Sequence, residues 1–307
     1  LEEQEEFLTQ IKQDDKELAA LYTPYIPDID EIRGSMKKEG AILKYEWIGE
    51  KIFFWVLNSK ILRAGAVTAN SELTRVISQY ATNPKSYSRS DIELLSRALT
   101  EPIKDFFKNT KALYILANGP LEFLPWPAMK INAKPIIEMI PITYISSFSH
   151  LIFSKEKRNL YNARLLNIGN SFETMESLES SFSTIKNLNS RTKEIDAFPK
   201  LRRNFGLINI ENRTFLNGRK LWDSYIGISD NPRRFDRWRP AELFEESLSG
   251  HLIALQNIRS DYERGNNLSP SVFLTESLTF AGFPGILLNW TQNESIIQKS
   301  LFKSFLK

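Results

Sequence analysis

The chain has no cysteine, and among its 307 residues only His150 and His251 are histidines. The first absence excludes disulfides, thiolate metal sites and a cysteine nucleophile. The second leaves two separated imidazoles, which with scattered acids do not form the clustered set that a metal needs. No Gly-x-Ser-x-Gly elbow, phosphate-binding loop or Gly-rich dinucleotide fingerprint is present, and no cofactor is expected. No apolar run approaches the roughly 20 residues of a membrane helix, so no membrane segment is expected, and no signal peptide is visible. Lys and Arg total 40 against 37 Asp and Glu, a net +3 that argues against nucleic acid as the partner of the whole chain. Freedom from cysteine does not fix a compartment; a cytoplasmic one is the working expectation. The chain opens on Leu1 rather than Met, so a piece of a longer protein is expected.

What is present is a core. Hydrophobic residues make up 42% and charged residues 25%, with 20 Phe, 10 Tyr and 6 Trp. A disordered chain would not carry so many aromatics, and the length suits one large or two medium units.

Residues 1–39 read as helical, with Phe7, Leu8, Ile11, Leu18 and Leu21 at roughly helical spacing. This is either a solvated helix capping the core or the trailing edge of an upstream helical repeat. Pro24 and Pro27 break it, and a short helix starts at Asp30. Residues 41–69 are three β-branched and aromatic runs separated by turn residues, which predicts a meander. Ser71 is the expected cap of the next helix, and a further helix runs from Ser90 toward Phe107 despite Pro102. Residues 111–117 predict a buried strand, 134–147 extended chain, and the region around His150 a helix.

The polar stretch 155–162 marks the expected boundary between an N-terminal half, residues 1–160, and a C-terminal half, residues 161–307. In the second half, strands at 164–170, 205–212, 251–257 and 285–290 alternate with helices at 174–187, 240–247, 271–281 and 295–306. That alternation predicts an α/β fold with a parallel sheet.

Four blocks, in order, resemble the CHAT family, caspase-like proteins often attached to tetratricopeptide repeats. The meander and its following helix resemble the family's opening strands. Residues 115–129, Ile-Leu-Ala-Asn-Gly-Pro-Leu-Glu-Phe-Leu-Pro-Trp-Pro-Ala-Met, are similar to its hallmark stretch, with Ala117 and Asn118 where Pro and Asp are usual. Residues 136–149 resemble its serine-before-helix segment. Residues 278–295 resemble its closing block, an Ala-Gly pair before a strand ending in Trp. The resemblance implies a caspase-like, mostly parallel sheet flanked by helices, with a smaller N-terminal α/β half.

Active members place a histidine and a cysteine at the ends of two neighbouring parallel strands. Here Asn209 and Arg213, or Ile208 and Asn212 one residue earlier, stand at the histidine motif, and Asn257 stands at the cysteine. Thiolate attack assisted by imidazole needs groups that ionise. Asparagine amides and a guanidinium hydrogen-bond but cannot run that cycle. These positions have either drifted or been converted to a cleft that recognises carboxylates or backbone.

His251 reads as a strand-entry residue and His150 as a packed helix residue. The run 232–240 carries Arg233, Arg234, Phe235, Arg237, Trp238 and Arg239 between the two degenerate strands. It is either a loop pinned to the acidic residues 242–246 or a surface for an acidic peptide, nucleic acid or protein, which the run Lys200-Leu-Arg-Arg203 would extend. The first function expectation is a catalytically inactive scaffold or regulatory module with a protein partner, perched on an upstream helical repeat. The alternatives are an active peptidase or hydrolase with non-cysteine chemistry, and a peptide- or nucleic-acid-binding module using the Arg-rich run.

Overall fold

A computed structural model describes residues 26–82, 88–157, 163–169, 182–217, 220–229, 236–244, 246, 248, 250–260 and 270–288. They fall into two compact units, one within Thr23–Ile152 and the other within Phe153–Tyr262 and Pro270–Lys307. Each has its own sheet. Of the helical stretch expected over 1–39, residues 1–25 lie outside the described residues, as do the expected helix 295–306 and 174–181 of a third.

In the first unit, Asp28 accepts a hydrogen bond from the Glu31 amide and starts α1, Ile29–Ser35. The meander is β1, Gly40–Ile48, β2, Lys51–Asn58, and β3, Leu62–Thr68, each antiparallel to the next. The Asn58 side chain accepts from the amides of Lys60 and Ile61 and shapes the second turn. Helix α2, Ser71–Thr82, is capped by Asn70, whose side chain accepts from the Leu73 amide at 2.8 Å; Ser71, the expected cap, is the first helical residue instead. The next helix begins regularly as α3, Arg89–Leu95, and then passes through a wide turn, Ser96–Thr100, into a tight one, Glu101–Asn109. Pro102 has no amide to donate and cannot continue the α ladder, which gives the change of winding.

Strand β4, Ala112–Ala117, is buried throughout and joins β1 in parallel. The stretch expected to be extended, 134–147, is extended only in part. It holds β6, Lys134–Pro135, paired with β5, Lys130–Ile131, then a single 3₁₀ turn, Ile136–Glu138, and β7, Ile142–Tyr144. Strand β7 pairs in parallel with β4, giving the sheet order β3-β2-β1-β4-β7. The helix α4, Phe148–Lys157, follows.

The Leu-Pro-Trp-Pro stretch has a structural task here. Trp126 is fully buried, stacks on Tyr45 of β1 at 4.8 Å and donates its indole N–H to the Leu121 carbonyl at 2.9 Å. Tyr45 in turn donates to the Leu99 carbonyl, and burial holds its hydroxyl well above the usual phenol range. Three separate chain segments therefore meet at one aromatic pair.

The second unit is built on a seven-stranded, mostly parallel sheet. Strands β8, Arg164–Gly169, β9, Thr184–Asn189, β10, Leu207–Leu216, β13, Leu252–Ser260, and β14, Gly285–Leu288, run parallel in the order β9-β8-β10-β13-β14. Strand β10 is long enough to take β8 along its first half and the antiparallel β11, Tyr225–Gly227, along its second. The short β12, Arg237–Trp238, pairs with β11. Helices α5, Phe198–Leu201, α6, Pro240–Leu243, and α7, Pro270–Ala281, connect the strands.

One expectation is overturned outright: residues 184–187, read as the end of a helix, belong to β9. Ile185 and Leu188 sit three apart, a spacing that suits a helix face as well as the two faces of a strand. Here Ile185 packs with Leu165 and Leu207, whereas Leu188 joins the main core with Ile168 and Ile210.

Removing the aromatic pair tests the first unit. Trp126→Ala should lower unfolding free energy by about 3–5 kcal/mol, and Tyr45→Phe by about 1–3 kcal/mol by leaving the Leu99 carbonyl without its donor, both read from urea denaturation followed by far-UV circular dichroism.

Candidate functional site

Four strands of the parallel sheet carry one repeated pattern. Leu165-Leu-Asn-Ile in β8, Ile185-Lys-Asn-Leu in β9, Leu207-Ile-Asn-Ile in β10 and Leu252-Ile-Ala-Leu in β13 stand in register. Leu166, Ile168, Leu188, Ile208, Ile210, Ile253 and Leu255 fill the main core. The alternate positions begin with a small apolar cluster, Leu165, Ile185, Leu207 and Leu252. The next row is polar: Asn187, Asn167 and Asn209 lie side by side on three adjacent strands.

Asn209 is 1% exposed and donates to Asn167 Oδ1 at 2.6 Å, while its own Oδ1 accepts from Gln256 Nε2 at 2.9 Å. Among the described residues, Asn167 Nδ2 and Asn187 Oδ1, a donor and an acceptor on register partners, have no hydrogen-bond partner. Two residues further toward the carboxyl ends, the Glu211 carboxylate lies over Gly169 so closely that a Cβ there would overlap it. Of these amides, Asn209 alone is among the residues singled out from the sequence; Asn167, Asn187 and Gln256 are not. The signal was available: in each of these three strands Asn takes the third place of an apolar-x-Asn-apolar tetrad.

Beyond this row the register changes. Ile210 faces Leu255, but Arg213 faces Asn257, so Glu211 and Asn212 together oppose Gln256 in a β-bulge. The structure thus brings Arg213 and Asn257 together as register partners on adjacent parallel strands. Asn209 faces Ala254 instead, and the Asn212 side chain donates to the Ile228 carbonyl at 2.7 Å. The expectation that the two strands close at these positions is not met. Pairing with β11 carries β10 on to Leu216, and β13 continues beside it to Ser260. Arg213 is exposed, whereas Asn257 Oδ1 and Arg259 Nε, on alternate residues of β13, are buried without partners among the described residues.

His251 lies away from this point, and His150 belongs to the other unit. His251 precedes β13, six residues and about 20 Å of extended chain before Asn257, at the amino end of a sheet type that binds ligands at the carboxyl ends. Burial pushes its imidazole pKa down. His150 belongs to α4, is 8% exposed, and keeps Nδ1 2.9 Å from Ser146 Oγ.

Of the Arg-rich run, Arg233, Arg234 and Phe235 lie outside the described residues. Trp238, expected on a loop, is 3% exposed because its ring joins the core edge-on to Phe198 at 5.4 Å. Arg237 lies over the Tyr225 ring at 4.3 Å, and the Arg239 amide donates to Glu242 Oε2 at 3.1 Å at the start of α6. Arg202 and Arg203 share the carboxylate of Glu246, and Arg202 also covers the Phe198 and Trp238 rings. Among the described residues no group of three histidines or acids is placed to hold a metal, and no helix is long and apolar enough to cross a membrane. The site can therefore donate and accept hydrogen bonds and offer a guanidinium; its amides do not titrate near neutral pH.

No family model matches the chain, and no curated protein matches it.

Asn209→Leu should destabilise the protein by about 2–4 kcal/mol in urea denaturation, because it strands Asn167 Oδ1 and Gln256 Nε2 together. The lowered pKa of His251 sets a second outcome. The unfolded chain binds this proton more readily, so the contribution of neutral His251 is present above its ordinary pKa of about 6.5 and is lost as pH falls below it. Wild type should lose more stability than His251→Gln between pH 7 and about pH 5.5.

Proposed function

We propose that the chain is a catalytically inactive, caspase-like module of the CHAT type that acts by binding a protein partner. The observation carrying this reading is the opposition of Arg213 and Asn257 across β10 and β13, at the two sequence positions where the family resemblance expects histidine and cysteine. A guanidinium and an amide cannot form a thioester or relay a proton at neutral pH, but they suit carboxylate and main-chain recognition. The parallel order β8-β10-β13 supports the same reading, since it sets the pair toward the carboxyl ends of central strands. Among the described residues Asn257 Oδ1 has no donor and Arg259 Nε no acceptor, and both atoms are buried. The exposed member of the pair is Arg213, whose guanidinium an incoming carboxylate or carbonyl can reach.

Incubation with a broad peptide library should yield no specific cleavage; cuts abolished by His251→Ala or His150→Ala would overturn the proposal. Peptides selected on the wild-type protein from a displayed random library should bind Arg213→Ala and Asn257→Ala at least about tenfold more weakly, as loss of one charge-assisted hydrogen bond implies, with the melting temperature of Arg213→Ala unchanged.

A further inference from the structure

Strand β3 ends the first unit's sheet, and among the described residues no strand pairs with its outer edge. Free edges are commonly guarded by proline, lysine, an inward charge or a bulge. Over Leu62-Arg-Ala-Gly-Ala-Val-Thr68 there is no proline, no bulge against β2 and one charge, Arg63. The strand is open: Leu62 is 48% exposed, and Arg63, Ala64, Ala66 and Thr68 are exposed as well. The adjoining strand presents Phe53 and Trp55 in a stacked pair at 6.3 Å, with Trp55 opposite Ala64 and Phe53 opposite Ala66.

The geometry points to β3 as the edge through which a second copy of this chain pairs, antiparallel, with Gly65 facing Gly65. The sequence is self-complementary about that residue. Leu62 then faces Thr68 of the second copy, Arg63 faces Val67 and Ala64 faces Ala66, so no two like charges meet. The faces also match. Gly65 and Val67 pair with the core residues Phe54 and Ile52, while Ala64 and Ala66 lie on the face of Trp55 and Phe53. Pairing about Gly65 keeps odd residues opposite odd and even opposite even, so each face continues across the join.

Across that join one row reads Lys44, Trp55, Ala64, then Ala66, Phe53 and Glu46 of the second copy, and the symmetry repeats it in reverse. Gly65 itself is fixed by the fold, because the Phe54 ring lies over it where a Cβ would stand, so the small residue at the two-fold position is already required. This inference is independent of the Arg213 and Asn257 reading, which concerns the other unit.

The test is sedimentation velocity across a concentration series, with amide hydrogen exchange of 62–68. The expected result is a concentration-dependent doubling of mass with slower exchange of the β3 amides. Both substitution sites are exposed, so the monomer fold should survive. Ala64→Lys combined with Ala66→Lys sets lysine against lysine at two symmetric points and should weaken the dimer about tenfold or more. Ala64→Lys combined with Ala66→Glu sets opposite charges there and should restore it. A wild-type mass that stays monomeric at all concentrations overturns the proposal. So does equal behaviour of the two double variants, or protection of β3 only on adding an unrelated extended peptide.

Discussion

The second unit depends on a hydrogen-bonded row of amides set across parallel strands. Strands buried on both faces are apolar throughout, and an apolar run does not by itself say which neighbour each residue should meet. Asn167, Asn209 and Gln256 say it. Sliding β10 by one residue along β8 would put Asn209 into the core of Leu166 and Ile208 and leave its partners empty. Buried amides in apolar surroundings cost free energy unless each finds its partner, so the row penalises wrong registers more than it stabilises the right one.

That row also decides what the carboxyl ends of the strands can be. The bulge lies immediately past it, and the bulge sets Arg213 opposite Asn257 rather than leaving Asn212 there. A guanidinium beside an amide at the centre of a parallel sheet is a pair that can hydrogen-bond carboxylates and main-chain groups.

The first unit solves register differently. Its strands β1, β2 and β3 pair through tight antiparallel turns, and one face packs on helices while the other keeps Phe53, Trp55 and Lys44 partly in water. Alternation of core and outer residues then fixes pairing without buried amides. Tyr45 and Trp126 tie the meander to the Leu-Pro-Trp-Pro stretch, which explains why a motif singled out for its family resemblance is spent on packing.

Local pattern determined much of this architecture from the sequence alone. The meander, β4, β8, β10, β13, β14 and α7 were all legible as runs of β-branched or periodic apolar residues, because burial requires those side chains at those spacings. The ambiguous cases were those with two allowed periodicities or none: Ile185 and Leu188 fit both helix and strand, and β11 and β12 are too short to carry a pattern. Tertiary structure alone decided which strands are neighbours, that Asn209 reaches Asn167 and Gln256, that Arg213 rather than Asn209 meets Asn257, and that Trp238 is core. Those outcomes depend on hydrogen bonds and contacts between residues some 40 positions apart in the chain, and a local pattern holds no information about which distant partner will satisfy a buried polar group.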